Sequence, residues 1–131
     1  MREAGGKLAQ GAIIWANVSD PRGYVKRHPL VIITDSTEIV LDRPFVGVAV
    51  TTTYPDPPTI RHVELPWSPR GHPATRLARR SAAVCDWLVE LRASQVEEIK
   101  GFIPTKTLIQ ILERVRALHG PQDNSGNPGS C

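Results

Sequence analysis

KRHPLVII, running from Lys26 to Ile33, follows the turn Asp20-Pro21-Arg22-Gly23 and leads into the polar run that begins at Asp35. From Leu30 onward it is Leu, Val, Ile, Ile, apolar at every position, β-branched at three of the four, and introduced by Pro29. A short apolar run of that make-up reads as a fully buried strand and not as a helix, because proline stops a helix and branched side chains suit a pleated surface. The reading predicts a strand from Leu30 to Thr34. It also sets Lys26, Arg27 and His28 at the mouth of that strand, on a loop stiffened by Pro21 and Pro29. A rigid loop that carries cations beside a titratable imidazole suits phosphate chemistry.

Working outward, Gly11 to Ala16 (GAIIWA) reads as an earlier strand after a loose leader over residues 1–10, and Asn17 to His28 as the connecting loop. Asp35 to Arg43 stays open between a loop and a short strand. Phe45 to Thr53 reads as a third strand, ended by the proline-rich run Tyr54 to Pro58. His62 to Leu65 alternates and is short, as an edge or hairpin strand would be. Pro66 to Arg79 reads as a long loop and Ser81 to Leu91 as another strand. The period then changes. Ser94 with Glu97 makes a capping-box pattern, predicting a short helix that ends near Gly101. Pro104-Thr105 opens a second helix, whose Leu108, Ile111, Leu112, Val115 and Leu118 form one apolar stripe, and Gly120-Pro121 stops it. The tail over residues 120–131, mostly Gly, Asn, Ser, Asp and Pro, is expected to be disordered. The pattern is mainly β (α+β), a small, strongly bent sheet or partly open barrel closed by a C-terminal helix, with residues 11–119 as one domain.

Composition agrees. The chain has 131 residues, 40% hydrophobic and 22% charged, which is ordinary for a globular domain, and its twelve prolines and ten glycines favour a loop-rich β fold. The net charge of +3 is unevenly spread. Between Arg61 and Arg80 lie five arginines against Glu64 alone, while Asp35 to Ile60 holds four acids against Arg43. A basic stretch beside an acidic one suits a polyanion-binding face. Cys85 and Cys131 are too few for a disulfide framework, so both are expected as free thiols. There is no signal-peptide pattern and no apolar run of membrane-spanning length, and the chain reads as cytoplasmic with no membrane partner.

The four histidines, His28, His62, His72 and His119, are scattered without the paired spacing of a zinc site, and no phosphate loop, dinucleotide fingerprint or nucleophile elbow is present. No metal and no cofactor is expected. Cys85 sits in an apolar run and reads as a small hydrophobe. Three places remain: Arg27 with His28, Thr51, and Asp86. Each falls near a strand end, where side chains of different strands can meet at one rim of a small sheet. An imidazole or carboxylate there can move a proton, and an arginine and a hydroxyl can hold charge developing on phosphorus. Of Trp15, Trp67 and Trp87, the last stands beside Asp86 and is the best placed to stack on a base.

GAIIWANV, RHPLVIIT, GVAVTTTYPDPP, SAAVCDWL and IKGFIPTKTLIQILERV, in that order from Gly11 to about Val115, resemble the MazF/PemK family of bacterial toxin endoribonucleases. The resemblance implies an SH3-like small β-barrel with a short helix and a C-terminal α-helix, working as a homodimer. It implies metal-independent cleavage of single-stranded mRNA to 2′,3′-cyclic phosphate and 5′-hydroxyl ends, and a cognate antitoxin that covers the active-site face and shares DNA binding with the toxin. On that basis Thr51 matches the family's strand-end threonine and Asp86 the PemK-branch aspartate. Asp86 or His28 would move protons, and Arg27 and Thr51 would stabilise the phosphorane. Lys26, Arg22, Thr52, Arg80, Ser81 and Trp87 would hold the RNA. The chain departs from the pattern at two arginine positions, which are His28 and Val84 here, so Arg27 or an arginine of the 76–80 group must supply the charge. Two alternatives stand beside the nuclease: a non-catalytic toxin of the same fold that poisons a protein such as gyrase, and a barrel that binds RNA without cutting it.

Overall fold

The computed structural model describes residues 8–19, 22–40 and 43–119. Six strands, β1 (Ala12–Ser19), β2 (Val25–Ile32), β3 (Phe45–Thr51), β4 (His62–Leu65), β5 (Ser81–Leu91) and β6 (Val96–Phe102), precede one helix, α1 (Thr105–His119). They form a single sheet in the order β4-β5-β3-β2-β1-β6, every neighbouring pair antiparallel, with β4 and β6 at its edges. The strands at 45, 62 and 81 and the closing helix stand where the sequence places them.

Several boundaries differ, and three of the differences bear on the site. Lys26, Arg27 and His28 are not on a loop. β1 and β2 form a long hairpin, paired from Ile13↔Val31 out to Ser19↔Val25, so these three residues belong to β2 itself. Pro29 is tolerated there because β2 pairs with β3 only from Leu30 to Ile32, so proline's missing N–H falls outside that ladder. Secondly, the helix expected from Ser94 is a single 3-10 turn, Ala93–Gln95, followed by β6. Gln95 closes that turn by accepting from the Arg92 backbone N–H at 2.9 Å. The free edge of β1 then takes up the next residues, pairing Ala12↔Phe102 and Ile14↔Ile99, and this long-range pairing outweighs the local helix signal. Thirdly, β3 stops at Thr51, whose hydroxyl accepts from Thr53 N at 3.1 Å and donates to Thr53 O at 3.2 Å in a tight turn. The expected leader is ordered at its end, where Leu8 packs on the core and Gln10 bonds Ser36 and Ile33; residues 1–7 and the tail from 120 lie outside the described residues.

Both faces of the central strands are buried, which explains their unbroken apolar runs. One core joins Ile13, Val31, Val48, Val50, Val63, Leu65 and Cys85 to Ile111 and Val115 of α1. The other joins Ile14, Ala16, Leu30, Ile32, Phe45 and Leu91, with Val89 of β5 and Ile99 of β6 packed against it. β5 and β6 are not neighbours in the sheet, so their meeting on one cluster requires the sheet to curl strongly. Much of the curl comes from β5. It pairs with β3 through Leu88↔Val48 and again through Ala83↔Val50, leaving Val84 to Trp87 as a wide bulge. Bulges bend a strand and re-aim its side chains. Here the bulge sends Asp86 and Trp87 to different surroundings.

Candidate active-site cleft

A cleft of about 470 Å³ opens where the strand ends converge, lined by Trp15 of β1, His28 and Pro29 of β2, Val50, Thr51 and Thr52 at the end of β3, Arg79 and Ser81 at the start of β5, and Lys100 of β6. The convergence follows from the curl and from the early start of β2, which puts His28 opposite Ala16 of β1.

His28 is half-buried, and its ring rests against Trp87 with centroids 4.9 Å apart. Its Nε2 is buried and has no hydrogen-bond partner among the described residues. Burial pushes the imidazole below its ordinary value; the Val50 backbone acts in the opposite sense and the Lys26 charge adds to the lowering. The ring is therefore neutral at pH 7, with a nitrogen that no described residue satisfies. A buried polar atom without a partner costs about 1–3 kcal/mol, and such atoms accumulate where function demands them.

Around His28 the hydroxyls differ in availability. Thr51 is engaged in its own turn. The Ser81 hydroxyl is buried and donates to Arg79 O at 2.8 Å. Thr52 is exposed and makes no hydrogen bond among the described residues, so its O–H is the one left for a ligand.

The cations sort more sharply. Arg27, next to His28 in sequence, faces the other side of β2. Its guanidinium donates to Glu97 at 2.9 Å and Glu98 at 2.8 Å, both on β6, and lies 4.5 Å from the Trp15 ring. Hydrogen bonds from Asn17 and Arg27 hold the Glu97 carboxyl below its usual range, so that partner stays charged. Arg80 stacks over the Tyr54 ring at 3.9 Å, donates to Tyr54 O and Pro55 O, and approaches Glu64 at 3.3 Å. It pins the β3–β4 loop. Burial, with a hydrogen bond to Glu64, pushes the Tyr54 phenol up to about 12, against the opposing pull of the Arg80 charge. Asp86, thrown outward by the bulge, accepts from Arg61 at 3.0 Å and does not line the cleft. Lys26 and Arg22 lie exposed, on β2 and in the turn before it.

Of the sequence-derived residues, the structure thus gathers His28, Thr51, Thr52 and Ser81 in one cleft, with Trp87 behind His28. It engages Arg27, Arg80 and Asp86 in ion pairs, and none of the three lines the cleft, although Arg27 lies against Trp15 at its margin. Lys100 is the lining cation that the sequence reading lacked. The helix expected over that segment hid it; the alternation of Val96, Glu98, Lys100 and Phe102 with Ile99 and Gly101 was the signal for a strand.

Cys85 is buried in the core and burial pushes its thiol up to about 11, which fits packing and not nucleophilic chemistry. The remaining histidines hold local structure. His62 bonds Thr59, His72 Nδ1 accepts from Ala74 N and Thr75 N, and His119 bonds Cys85 O. Among the described residues no group of three or more His, Cys, Asp and Glu side chains is placed to hold a metal ion, and no helix is long and apolar enough to cross a membrane.

Residues 9–119 match the family model described as the PemK-like, MazF-like toxin of type II toxin–antitoxin systems. No curated protein sequence matches the chain. Among solved structures, MazF from Deinococcus radiodurans superposes with a TM-score of 0.69 at 16% identity, covering 87% of this chain and 97% of that one. An endoribonuclease in complex with its cognate antitoxin, from a mycobacterial species, gives 0.65 at 19% identity, covering 88% and 98%. A mycobacterial endoribonuclease structure gives 0.65 at 16%, covering 92% and 98%. At such identities the likeness is one of fold.

Proposed function

Because the chain belongs to the PemK-like, MazF-like toxin family of type II toxin–antitoxin systems, we propose that it is an endoribonuclease that cuts single-stranded mRNA without a metal ion, with His28 as its general base. The observation that carries this reading is the His28 ring, neutral and unsatisfied at Nε2, in a cleft that also holds a free hydroxyl and unpaired cations.

In the proposed reaction, the His28 imidazole takes the proton of a ribose 2′-OH. The 2′ oxygen attacks the adjacent phosphorus, the O2′–P bond forms, and the P–O5′ bond breaks. The leaving 5′ oxygen takes a proton from solvent water, leaving a 5′-hydroxyl and a 2′,3′-cyclic phosphate, and His28 returns to its neutral form by giving its proton back to solvent. Nε2 is covered in the resting structure, so the ring must turn, or Trp87 draw back, before it reaches the 2′-OH. The Thr52 hydroxyl and the cleft cations face the charge that grows on the phosphorane. Thr51 acts by fixing the turn that presents Thr52, and Arg80 by fixing the loop beyond it. Arg27 has a positioning role, tying the β1–β2 hairpin to β6. Proton transfer contributes ~10²–10⁴ in rate and an aimed donor roughly 10²–10³ more, a sum suited to transesterification, where the nucleophile is part of the substrate.

The pairing of Asp86 with Arg61, away from the cleft, favours His28 over Asp86 as the base. The test compares variants on one RNA substrate. His28→Ala is expected to slow cleavage by ~10²–10⁴, and Asp86→Asn by less than about tenfold. The reverse ranking would transfer the base to Asp86. A cognate antitoxin as inhibitor and a homodimer as working form belong to the same proposal, supported by the family match and by the neighbouring fold having been solved with its cognate antitoxin.

A further inference from the structure

Lys100 lines two spaces at once. On one side is the cleft that holds His28; on the other is a groove of about 730 Å³ along the β6 edge, walled by the Pro73–Arg76 loop, Arg76 and Phe102. Both volumes fall in the ~300–1,000 Å³ range of small-molecule sites.

The groove has a fixed wall. Where the loop crosses β6 at Gly101, a Cβ would stand 2.5 Å from Ala74 O and 2.6 Å from Thr75 O, so only glycine lets the two backbones approach. Phe102 N donates to Ala74 O at 2.9 Å across the same crossing. The loop itself is braced by buried Thr75, which donates to Pro66 O and accepts from Leu77 N.

Charge separates a binding role from an ordinary surface. Arg27, Arg61 and Arg80 are each bonded to a carboxylate, and Arg114 donates to the Ile60 and His62 carbonyls. Lys100, Arg76 and Arg79 make no side-chain hydrogen bond or ion pair among the described residues. The one acid on the groove, Glu98, is held by Arg27. Edge strands often carry lysine merely to discourage pairing with other chains. Lys100 departs from that pattern: it is half-buried between the two spaces, at a register shift in the β1–β6 ladder, and exposed Phe102 lines the same groove two residues on. An unpaired cation beside an exposed ring is the combination that binds single-stranded nucleic acid, the charge following the backbone and the ring stacking on a base.

We propose that Lys100 is the residue that grips the substrate phosphate between the cleft and the groove, and that the groove receives the nucleotide adjoining the scissile one, its base on Phe102 and its outer phosphate on Arg76. This rests on the ribonuclease reading and supplies a cation in place of Arg27. It makes β6 a substrate-binding strand.

The test is binding of a 2′-O-methyl RNA oligonucleotide, which lacks the attacking hydroxyl, by fluorescence anisotropy over about 50–200 mM salt, beside cleavage of the unmodified RNA. Lys100→Gln is expected to weaken binding roughly tenfold and to lower the salt slope by about 0.7, the loss of one contact to a single strand. Lys100→Arg should restore the slope. Phe102→Ala should weaken binding without changing the slope, and Arg76→Gln should act like Lys100→Gln, so the inference does not hang on one variant; melting curves verify that each is folded. If the wild type binds and cuts RNA while Lys100→Gln and Arg76→Gln match it in affinity and slope, the inference is overturned and the ribonuclease reading stands. If the wild type binds RNA without cutting it, the variants still decide the inference and the catalytic reading fails. A wild type that binds no RNA overturns both.

Discussion

Replacing Gly101 with alanine adds one methyl group at the most crowded backbone crossing among the described glycines. The new Cβ would meet Ala74 O at 2.5 Å, Thr75 O at 2.6 Å and Thr75 C at 2.7 Å, against the 3.4 Å at which ordinary contact begins. None of these is the mobile end of a side chain, so β6 and the 73–76 loop must separate by several tenths of an ångström. The separation stretches or breaks the Phe102 N–H bond to Ala74 O. Overpacking of this kind costs about 1–3 kcal/mol, and the strained hydrogen bond adds about 1 kcal/mol. Together they give a loss of about 2–4 kcal/mol. At ~4 °C per kcal/mol for a domain of this size, Gly101→Ala should melt roughly 8–16 °C below the wild type. Differential scanning calorimetry measures this directly. A melting point within about 2 °C of the wild type would show that the loop moves away freely, and the rigid wall assigned to the β6 groove would be refuted.

Other consequences follow from single groups. Thr75→Val keeps the shape of a fully buried side chain but leaves Pro66 O and Leu77 N unpaired, so urea unfolding should show a loss of about 2–4 kcal/mol, with an unchanged m-value. For His28 the folded imidazole titrates below its ordinary value of 6.5, so the unfolded chain takes up a proton first as pH falls. Its contribution to stability is therefore neutral above 6.5 and becomes a penalty as pH drops from there through the folded value. His28→Gln should remove that portion of the pH dependence in thermal melts, and melts that keep it would place the effect on another group. Cleavage, which needs the neutral ring, should hold its rate to a pH below 6.5 before the acid limb sets in; an acid limb starting above 6.5 would contradict the assignment.

The strands of the core were legible in the sequence because both their faces are buried, and a run such as Leu30 to Ile33 has no polar position to confuse the period. The stripe on α1 was legible for the complementary reason, since Ile111 and Val115, with Leu108 and Leu118 packed beside them, reach the core from one helix face. What stayed hidden was set by partners distant in sequence. Val96 to Phe102 carries a local cap signal at Ser94 and Glu97, yet it pairs with β1 some eighty positions earlier, and Glu97 bonds Asn17 and Arg27 instead. That one error concealed Lys100. The charge run from Arg61 to Arg80 was visible, but not which of its members would be engaged; Arg61 and Arg80 meet Asp86 and Glu64 only because β4 and β5 pair. Likewise Arg27 and His28 are adjacent in the chain and part company because successive strand residues point to opposite faces. His28, Thr51 and Ser81 were found because strand ends of a small curled sheet converge, a geometric expectation that needs no side-chain detail.

The central claim is tested most directly by incubating the purified protein with a long single-stranded RNA in EDTA and mapping the ends of the fragments, beside His28→Ala treated identically. The account predicts discrete cuts with 5′-hydroxyl and 2′,3′-cyclic phosphate ends that persist in the chelator and are lost in His28→Ala. Intact RNA with the folded wild-type protein, or cutting undiminished by His28→Ala, would contradict it.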